Sequence, residues 1–275
     1  ASESTSSFIP IAFGETSRQI TIVVNSSAAS ASTEYVFDVS RPALTSFGQS
    51  TFAKSSNSDT GDEYGVSTDV NGDLFIVGAR REDNSSSSIA TDNSSAPDSG
   101  AAYIYRKVNN VWTEEAYLKP SSIMTNALFG HRVAVGEEVV AVSAIGADNG
   151  AFSDAGLVYV FRLTGGQWVQ DAIVAPSAPI ASASFGDELA MRGNVLAVCA
   201  PLEGGMRGAA YIFRFDGSTW NQEARLQPSD IVVGDQFCFG DIRLTDDRVV
   251  IGSPLRNSEA GQVHVFRYQN DVWSE

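Results

Sequence analysis

The chain has 275 residues, and its 33 acidic and 18 basic side chains give a formal net charge of −15. This excess of acid argues against nucleic acid and anionic membrane surfaces as partners, because both require clusters of Lys and Arg. A hydrophobic share of 43% is too high for a disordered chain, and no apolar run approaches the ~18 residues that insert into a bilayer.

The first 45 residues contain two segments in which apolar and polar residues alternate. These segments, 19–24 and 35–42, predict two β-strands. Two strands do not form a stable domain alone. We therefore expect residues 1–45 to be part of a β-sandwich-like segment, or an irregular extension that packs on the rest of the chain.

From about residue 50 onward, four landmarks recur four times in the same order. The first is an aromatic residue followed by Gly, at Tyr64-Gly65, Phe129-Gly130, Phe185-Gly186 and Phe239-Gly240. The second is an apolar run that ends in small residues, at 74–79, 139–144, 195–201 and 249–254. The third is a Gly followed by an alternating run, at 100–105, 156–161, 208–213 and 261–266. The fourth is a Trp, at Trp112, Trp168, Trp220 and Trp273, with spacings of 56, 52 and 53 residues.

Each repeat predicts four short strands, because β-branched and aromatic residues dominate the runs and Gly, Asn, Asp and Ser separate them. A four-stranded unit of ~50 residues has the size of a β-propeller blade. One blade cannot bury both of its faces, so blades must stack on neighbours. The predicted fold class is all-β, a β-propeller with four visible blades. We expect the recurring Trp to pack between blades, the alternative being a carbohydrate-stacking role at the rim.

The aromatic-Gly pair and the turn after the apolar run, such as Cys199-Ala200-Pro201, resemble the FG-GAP repeat of integrin α-subunit propellers and of many secreted or surface proteins. The resemblance implies a propeller domain at 46–275, with blades at 64–120, 129–176, 185–228 and 239–275. It also implies a secreted or cell-surface location. The two strands before residue 45 resemble the end of a cadherin-like or immunoglobulin-like sandwich.

The two ends of the repeat region leave two interpretations open. Residues 51–56 match the fourth-strand pattern at 116–121. This segment therefore either completes the last blade of a closed four-bladed ring, or the chain is part of a longer parent that contains more blades. We favour the longer parent, because four is the low end of the range of ~4–8 blades.

FG-GAP repeats often carry a calcium loop between their motifs, and one segment of this chain resembles it in part. Asp69, Asn71 and Asp73 are the oxygen-bearing side chains of that segment, but the second half of the loop is missing. The alternative is a plain Asn-Gly turn. Calcium is therefore an expectation that rests on the resemblance.

A long Ser-rich connection, residues 79–100, separates two strands of the first repeat. Loops of this length in compact domains are usually functional or disordered. Its carboxylates, Asp83, Asp92 and Asp98, either surround a cation or belong to a solvated, glycosylated protrusion. The chain has three Asn-x-Ser sequons, the second and third of them in this connection: Asn25, Asn84 and Asn93.

No arrangement of residues typical of catalysis emerges from the sequence. The two histidines, His131 and His264, have no metal-ligand spacing, and acidic pairs such as Glu137-Glu138 are expected on a solvated face. The two cysteines, Cys199 and Cys238, form either one disulfide or two buried thiols.

These observations favour a non-enzymatic role. We expect an extracellular structural or adhesive module of a surface or filament glycoprotein, with variable loops that contact other proteins or glycans on a rigid scaffold. Copies of the same chain are a further expected partner. The alternative is a carbohydrate-active propeller enzyme, a lyase or a glycosidase, which should have one concave pocket with convergent polar groups near the propeller axis.

Overall fold

The computed structural model describes residues 52–57, 59–89 and 93–275, together with the backbone of two N-terminal strands. The chain divides into two compact units, Ala1–Phe52 and Ala53–Glu275. In the first unit, β1 (Ser17–Asn25) and β2 (Ser32–Ser40) pair in antiparallel fashion. The two strands predicted there are confirmed, and their assignment to a sandwich stays a prediction.

The second unit consists of four antiparallel sheets, each with four strands in chain order. Blade 1 contains β3 (Tyr64–Asn71), β4 (Leu74–Ala79), β5 (Ala101–Val108) and β6 (Val111–Leu118). Blade 2 contains β7 (Phe129–Val135), β8 (Val139–Ala144), β9 (Leu157–Thr164) and β10 (Gln167–Val174). Blade 3 contains β11 (Leu189–Arg192), β12 (Val195–Ala200), β13 (Ala209–Phe215) and β14 (Trp220–Leu226). Blade 4 contains β15 (Ile242–Leu244), β16 (Arg248–Ser253), β17 (Gln262–Gln269) and β18 (Val272–Ser274).

These sheets are the blades of an all-β propeller, and the predicted fold class is confirmed. The loops between the second and third strands of blades 3 and 4 each contain one short turn, α1 (Glu203–Met206) and α2 (Arg256–Glu259), whose two central residues have left-handed backbone dihedral angles. Because each blade is a simple meander, the hairpins that join strands one to two and three to four lie at one end. The loops that join strands two to three lie at the other. We call these the hairpin end and the loop end.

The hydrophobic core lies between consecutive blades. The middle strands β4, β8 and β12 are buried almost throughout, which explains why they read as continuous apolar runs rather than alternating ones. Each blade has a rear face, which packs on the preceding blade, and a front face, which packs on the next. Side chains alternate between them along a strand: in β9, Tyr159 joins the core shared with blade 1, and Val160 joins the core shared with blade 3.

An aromatic ring before the first strand anchors each blade on its own third strand. The ring of Phe129 lies 5.5 Å from that of Tyr159, and the ring of Phe185 lies 5.6 Å from that of Tyr211. In blade 4 the same position is taken by Phe237, whose ring lies 5.3 Å from the imidazole of His264.

The assignment of Phe239-Gly240 as the fourth aromatic-Gly pair was therefore wrong. Phe237 is fully buried, whereas Phe239 is 45% exposed. Blade 4 carries one additional residue at this point, because Leu189 begins its strand four residues after Phe185, but Ile242 begins its strand five residues after Phe237. Because of this extra residue, the sequence pattern selects Phe239-Gly240, although Phe237 occupies the aromatic position in the structure.

Three of the four recurring Trp residues pack between blades, as expected. Trp168, Trp220 and Trp273 each pack against the core that their own blade shares with the preceding blade. The indole Nε1 of Trp168 also donates a hydrogen bond of 3.1 Å to Glu115 of blade 1. The Trp residues therefore help to fix the angle between neighbouring blades.

Residues just before blade 1 take a place that other blades fill with the end of the preceding fourth strand. Glu114 accepts hydrogen bonds from the backbone N and the Oγ of Ser56, at 3.1 and 2.7 Å. The equivalent side chain in blade 2, Gln170, accepts from the backbone N of Ser121 at 2.8 Å and donates to its Oγ at 3.0 Å. The sequence match between 51–56 and 116–121 thus reflects an equivalent position in space for Ser56 and Ser121.

Candidate functional site

The first strands of all four blades line a shared cavity of about 450 Å³. Its polar side chains include Asp69 from β3, Arg132 from β7 and Glu188 just before β11, together with Asp241 and Arg243 next to and within β15. Because every blade contributes its first strand, this cavity lies along the axis about which the blades are arranged. It is the concave polar site that a propeller enzyme or a propeller binding protein would use.

The charged groups along this axial cavity are already paired within the protein. Arg132 lies 2.8 Å from a carboxylate oxygen of Glu188, and Arg243 lies 2.6 Å from one of Asp241. Burial lowers the pKa of Arg132, but the hydrogen bond and the negative charge of Glu188 outweigh it and raise the pKa overall. Both carboxylates therefore already have an arginine partner within the protein.

The predicted calcium ligands do not form a ligand cluster. The carboxylate of Asp69 accepts hydrogen bonds from two backbone amides, Val70 N at 2.9 Å and Val135 N at 2.8 Å. Asn71 ends β3, and Asp73 lies in the tight turn that precedes β4. Among the described residues, no group of three or more His, Cys, Asp or Glu side chains is arranged to hold a metal ion. Asp69 instead joins blade 1 to blade 2, which favours the plain turn.

The connection 79–100 is folded back on blade 1 in its described parts. A carboxylate oxygen of Asp83 accepts a 2.8 Å hydrogen bond from the backbone N of Asp98, so these two residues close the loop on itself. Asp92, the third predicted carboxylate, lies outside the described residues.

The sequons of this loop are in contact with each other. Asn84 is only 1% exposed, its Oδ1 accepts from Asn93 Nδ2 at 3.1 Å, and its own Nδ2 donates to the backbone O of Ser88 at 3.4 Å. A glycan on Asn84 would have to displace this buried amide, so the folded structure disfavours the sequon-based expectation there. Asn93 is half-buried. Asn25 ends β1, and its side chain lies outside the described residues.

Cys199 and Cys238 form a disulfide with a Cα–Cα separation of 5.5 Å. The bond joins the second strand of blade 3 to the residue after Phe237. At the two other blade interfaces the equivalent positions hold Gly78 with Gly130, and Ser143 with Gly186, where an added Cβ on the second residue would collide with the neighbouring blade. Cys238 has the positive φ of those glycines, +70°. A site of close backbone approach has thus become a covalent link.

A buried carboxylate three residues after the second strand was not foreseen from the sequence. Glu82 lies 2.5 Å from the ammonium of Lys119 and accepts hydrogen bonds of 3.0 Å from Tyr117 and from Asn57. In blade 3, Glu203 accepts from Tyr211 at 2.6 Å. The sequence signal that could have found Glu82 and Glu203 is their position in the repeat. Each lies three residues after the Ala that ends the apolar run, at positions 79 and 200.

Blade 4 replaces this acidic group with a basic one. Arg256 stands in the phase of Glu82 and Glu203, and its Nη1 lies 3.1 Å from Nε2 of His264. The other histidine, His131, lies between blades, with Nδ1 3.2 Å from Nη1 of Arg80 and Nε2 3.6 Å from Asp187. Both histidines thus belong to structural contacts between elements.

The loop end carries exposed apolar side chains on an otherwise acidic molecule. We call this set the loop patch; its members are Phe152, Ile180, Met206, Val232 and Val233. Backbone hydrogen bonds connect the loops that bear them, from Ser182 N to Ser153 O at 2.9 Å, from Leu202 N to Ala183 O at 3.3 Å, and from Gly234 N to Met206 O at 3.1 Å. The patch is therefore held on a fixed set of neighbouring loops.

Comparison with known proteins agrees with this architecture. Residues 112–161 match the family model of the FG-GAP repeat. The matched segment runs from Trp112 in β6 to Phe161 in β9, and so includes the interface between blades 1 and 2. The search of curated proteins returned no match to this chain. Within the described residues, no helix is long and apolar enough to cross a membrane.

Proposed function

We propose that this chain is a non-enzymatic extracellular structural or adhesive module, part of a surface or filament glycoprotein, that contacts other proteins or glycans through its loops. The observation that carries the proposal is the loop patch. Exposed apolar surface is a mark of interaction sites, and here the exposed apolar side chains lie on loops that backbone hydrogen bonds hold to one another. The match to FG-GAP repeats, which occur in extracellular proteins, supports the same role.

The disulfide is a further feature that supports an extracellular location. Disulfides persist mainly in oxidising compartments, and the bond between Cys199 and Cys238 joins two blades.

Exposed acidic residues lie in or beside the loops of the patch, namely Asp148, Asp154 and Asp230. A net charge of −15 also opposes association between copies through acidic loops. The partner that fits best is a protein with an apolar centre and a basic rim.

The enzymatic alternative has one observation in its favour, the axial cavity. Its carboxylates, however, are bound to Arg132, to Arg243 and to backbone amides, which suits a scaffold better than proton transfer. Incubation with a panel of polysaccharides, followed by mass spectrometry of the products, tests it. Turnover that disappears in Glu188→Gln or Asp241→Asn would replace our proposal with the enzymatic one.

Bead adhesion provides the direct test of the proposed function. Beads coated with the chain should attach to the surface of the cells or filaments from which the chain derives. The double variant Val232→Ser/Val233→Ser should reduce attachment severalfold. Val263→Ser/Val265→Ser, which removes as much exposed apolar surface from blade 4, is the matched control and should leave attachment unchanged. Equal attachment by wild type and the loop variant would refute the proposal.

A further inference from the structure

A second cavity lies at the hairpin end, opposite the loop patch. It has a volume of about 660 Å³ and extends from Asp69 near the axis to Trp220 at the outer hairpin of blade 3, between blades 2 and 3. This volume falls within the ~300–1,000 Å³ of sites that hold small molecules. Asp69 and Met191 line both this cavity and the axial one, so the two are adjacent.

One wall of this hairpin-end cavity is apolar and firmly supported. It includes Met191, Phe215 and Trp220. Trp220 packs against the core between blades 2 and 3, and its ring centroid lies 5.5 Å from that of Phe215. The guanidinium of Arg162 lies 4.4 Å above the ring of Phe215. Aromatic walls held in this way offer a flat apolar surface with little loss of conformational freedom.

The two arginines that line this cavity, Arg162 and Arg192, are paired with carboxylates. Arg162 lies 3.1 Å from Asp171, Arg192 lies 2.5 Å from Asp246, and Asp69 is held by backbone amides. An anionic ligand would have to compete with these carboxylates for the two arginines. The paired arginines therefore disfavour an anionic ligand.

Two polar side chains remain available on the opposite wall. Asn71 and Glu137 line the cavity and are exposed, and within the described residues their side chains have no hydrogen-bond or ion-pair partner. Asn194 is engaged differently, because its Nδ2 donates 3.0 Å to the backbone O of Phe215 and holds the hairpin in place. An amide and a carboxylate together can bind several hydroxyl groups.

We infer that this cavity binds a neutral saccharide, with the apolar face of a sugar ring against Trp220 and its hydroxyls bonded to Asn71 and Glu137. This inference rests on the glycan-binding part of the proposed function and gives that part a site. Such a ligand matches each property of the cavity, namely an aromatic wall, a polar wall and no unpaired cation.

Titration of the intact chain with glucose, galactose, mannose, N-acetylglucosamine and their disaccharides, followed by NMR, tests the inference. At least one sugar should shift the Trp220 indole signal at concentrations of about 1–10 mM. Asn71→Ala and Glu137→Gln should each weaken binding about 3- to 10-fold, the effect of one lost hydrogen bond. Asp73→Ala and Glu138→Gln, which change neighbouring residues outside the cavity lining, are the controls and should bind as wild type.

Absence of any shift at about 10 mM, or equal weakening in test and control variants, would overturn the inference. Failure here can be separated from failure of the proposed function, because the bead assay depends on the loop patch at the other end of the blades. Beads that attach while every sugar fails would remove the saccharide site and leave the adhesive role. Sugar binding without bead attachment would do the reverse.

Discussion

The rear face of blade 1 and the front face of blade 4 are the two ends of the stack of described blades. The first face is covered by other residues of the chain, whereas the second is exposed. The rear face of blade 1 is covered by its own chain: Tyr103 donates 2.7 Å to Asn57, and the loop after β4 places Glu82 against Tyr117 and Lys119. The front face of blade 4 exposes 65% of Val263 and 46% of Val265. At the inner blades the equivalent residues are fully buried.

This difference shows that the repeat pattern determines which side chains lie on a blade's apolar face, but does not determine whether another element covers that face. Val160 and Val265 occupy the same position in their blades, yet one is fully buried and the other half exposed. The rear face of blade 1 is covered because blade 1 has residues that the other blades lack, namely a cluster of Tyr side chains and a buried ion pair. Burial raises the pKa of Tyr103 and of Tyr117 well above the usual range, which keeps both hydroxyls available as donors.

The largest effect is expected from Glu82→Gln, which breaks the cover of blade 1. Removal of one partner from a buried ion pair costs about 3–5 kcal/mol, because the other charge stays buried without compensation. Burial already lowers the pKa of Lys119, so the cost should shrink as pH rises and Lys119 loses its proton. Urea unfolding at pH 7 and pH 10 measures both.

Glu115→Gln is the control for this variant. Glu115 lies 2.5 Å from Arg106 but is partly exposed, and exposed pairs contribute at most ~1 kcal/mol. Equal destabilisation by the two substitutions would mean that the cover of blade 1 does not depend on the buried pair.

Next in size is the covalent link that ties blade 4 to blade 3. Cys199→Ser/Cys238→Gly converts this interface to the Ser and Gly found between blades 2 and 3. The disulfide closes a loop with a sequence separation of 39 residues, for which the chain-entropy model gives about 4 kcal/mol. Thermal unfolding of the variant should show blade 4 lost before the rest. Addition of a reducing agent should lower the midpoint of the wild type and leave the variant unchanged, and any response of the variant would argue against this account.

A direct comparison of the covered and bare positions comes from two identical substitutions. Val160→Ala removes two methyl groups from a fully buried site and should cost about 1.5–3 kcal/mol. Val265→Ala acts on a half-exposed site and should cost about 0.5 kcal/mol or less. The two free energies of unfolding from urea titrations test this, and similar values would show that the front face of blade 4 is covered in solution.

The smallest effect concerns the polar part of the cover on blade 1. Burial, reinforced by the charges of Glu82, Asp59 and Asp83, raises the pKa of Asp62 above its ordinary 3.8, although a hydrogen bond from the backbone N of Asp59 opposes this. A raised carboxyl pKa means that the folded state loses stability as pH rises from 3.8 through the folded pKa.

Asp62→Asn removes that penalty. The variant should melt at a higher temperature than the wild type at pH 7, and the difference should vanish below pH 3.8, where the wild-type carboxyl is protonated in both states. A gain that persists unchanged at low pH would contradict the electrostatic explanation.

The sequence was sufficient for the blades, because apolar runs and alternating runs recur at fixed spacing. The strands β4, β8, β12 and β16 lie where those runs predicted them, and three of the four Trp residues pack between blades as expected. The sequence was insufficient for Phe237. Phe237 and Phe239 both satisfy a period of two, and only the packing against His264 and Phe266 distinguishes them.

The candidate sites were harder to predict for a related reason. The pairs that define them join residues far apart in the chain, such as Glu82 with Lys119 or Arg132 with Glu188, and one sequence does not reveal long-range partners. The hairpin-end cavity combines hairpins from different blades, so none of its residues stands out alone. Asp69 shows the converse, since its local sequence resembles a calcium loop and gave no indication of its hydrogen bond with the neighbouring blade.

The disulfide of blade 4 also has a consequence for how the chain reaches its native pairing. A slip of two residues would place Phe239 in the aromatic position, keep every side chain on its correct face, and move Cys238 away from Cys199. Oxidation of the two thiols is therefore compatible with only one of these two alignments. The covalent bond therefore retains the alignment in which Phe237 is buried.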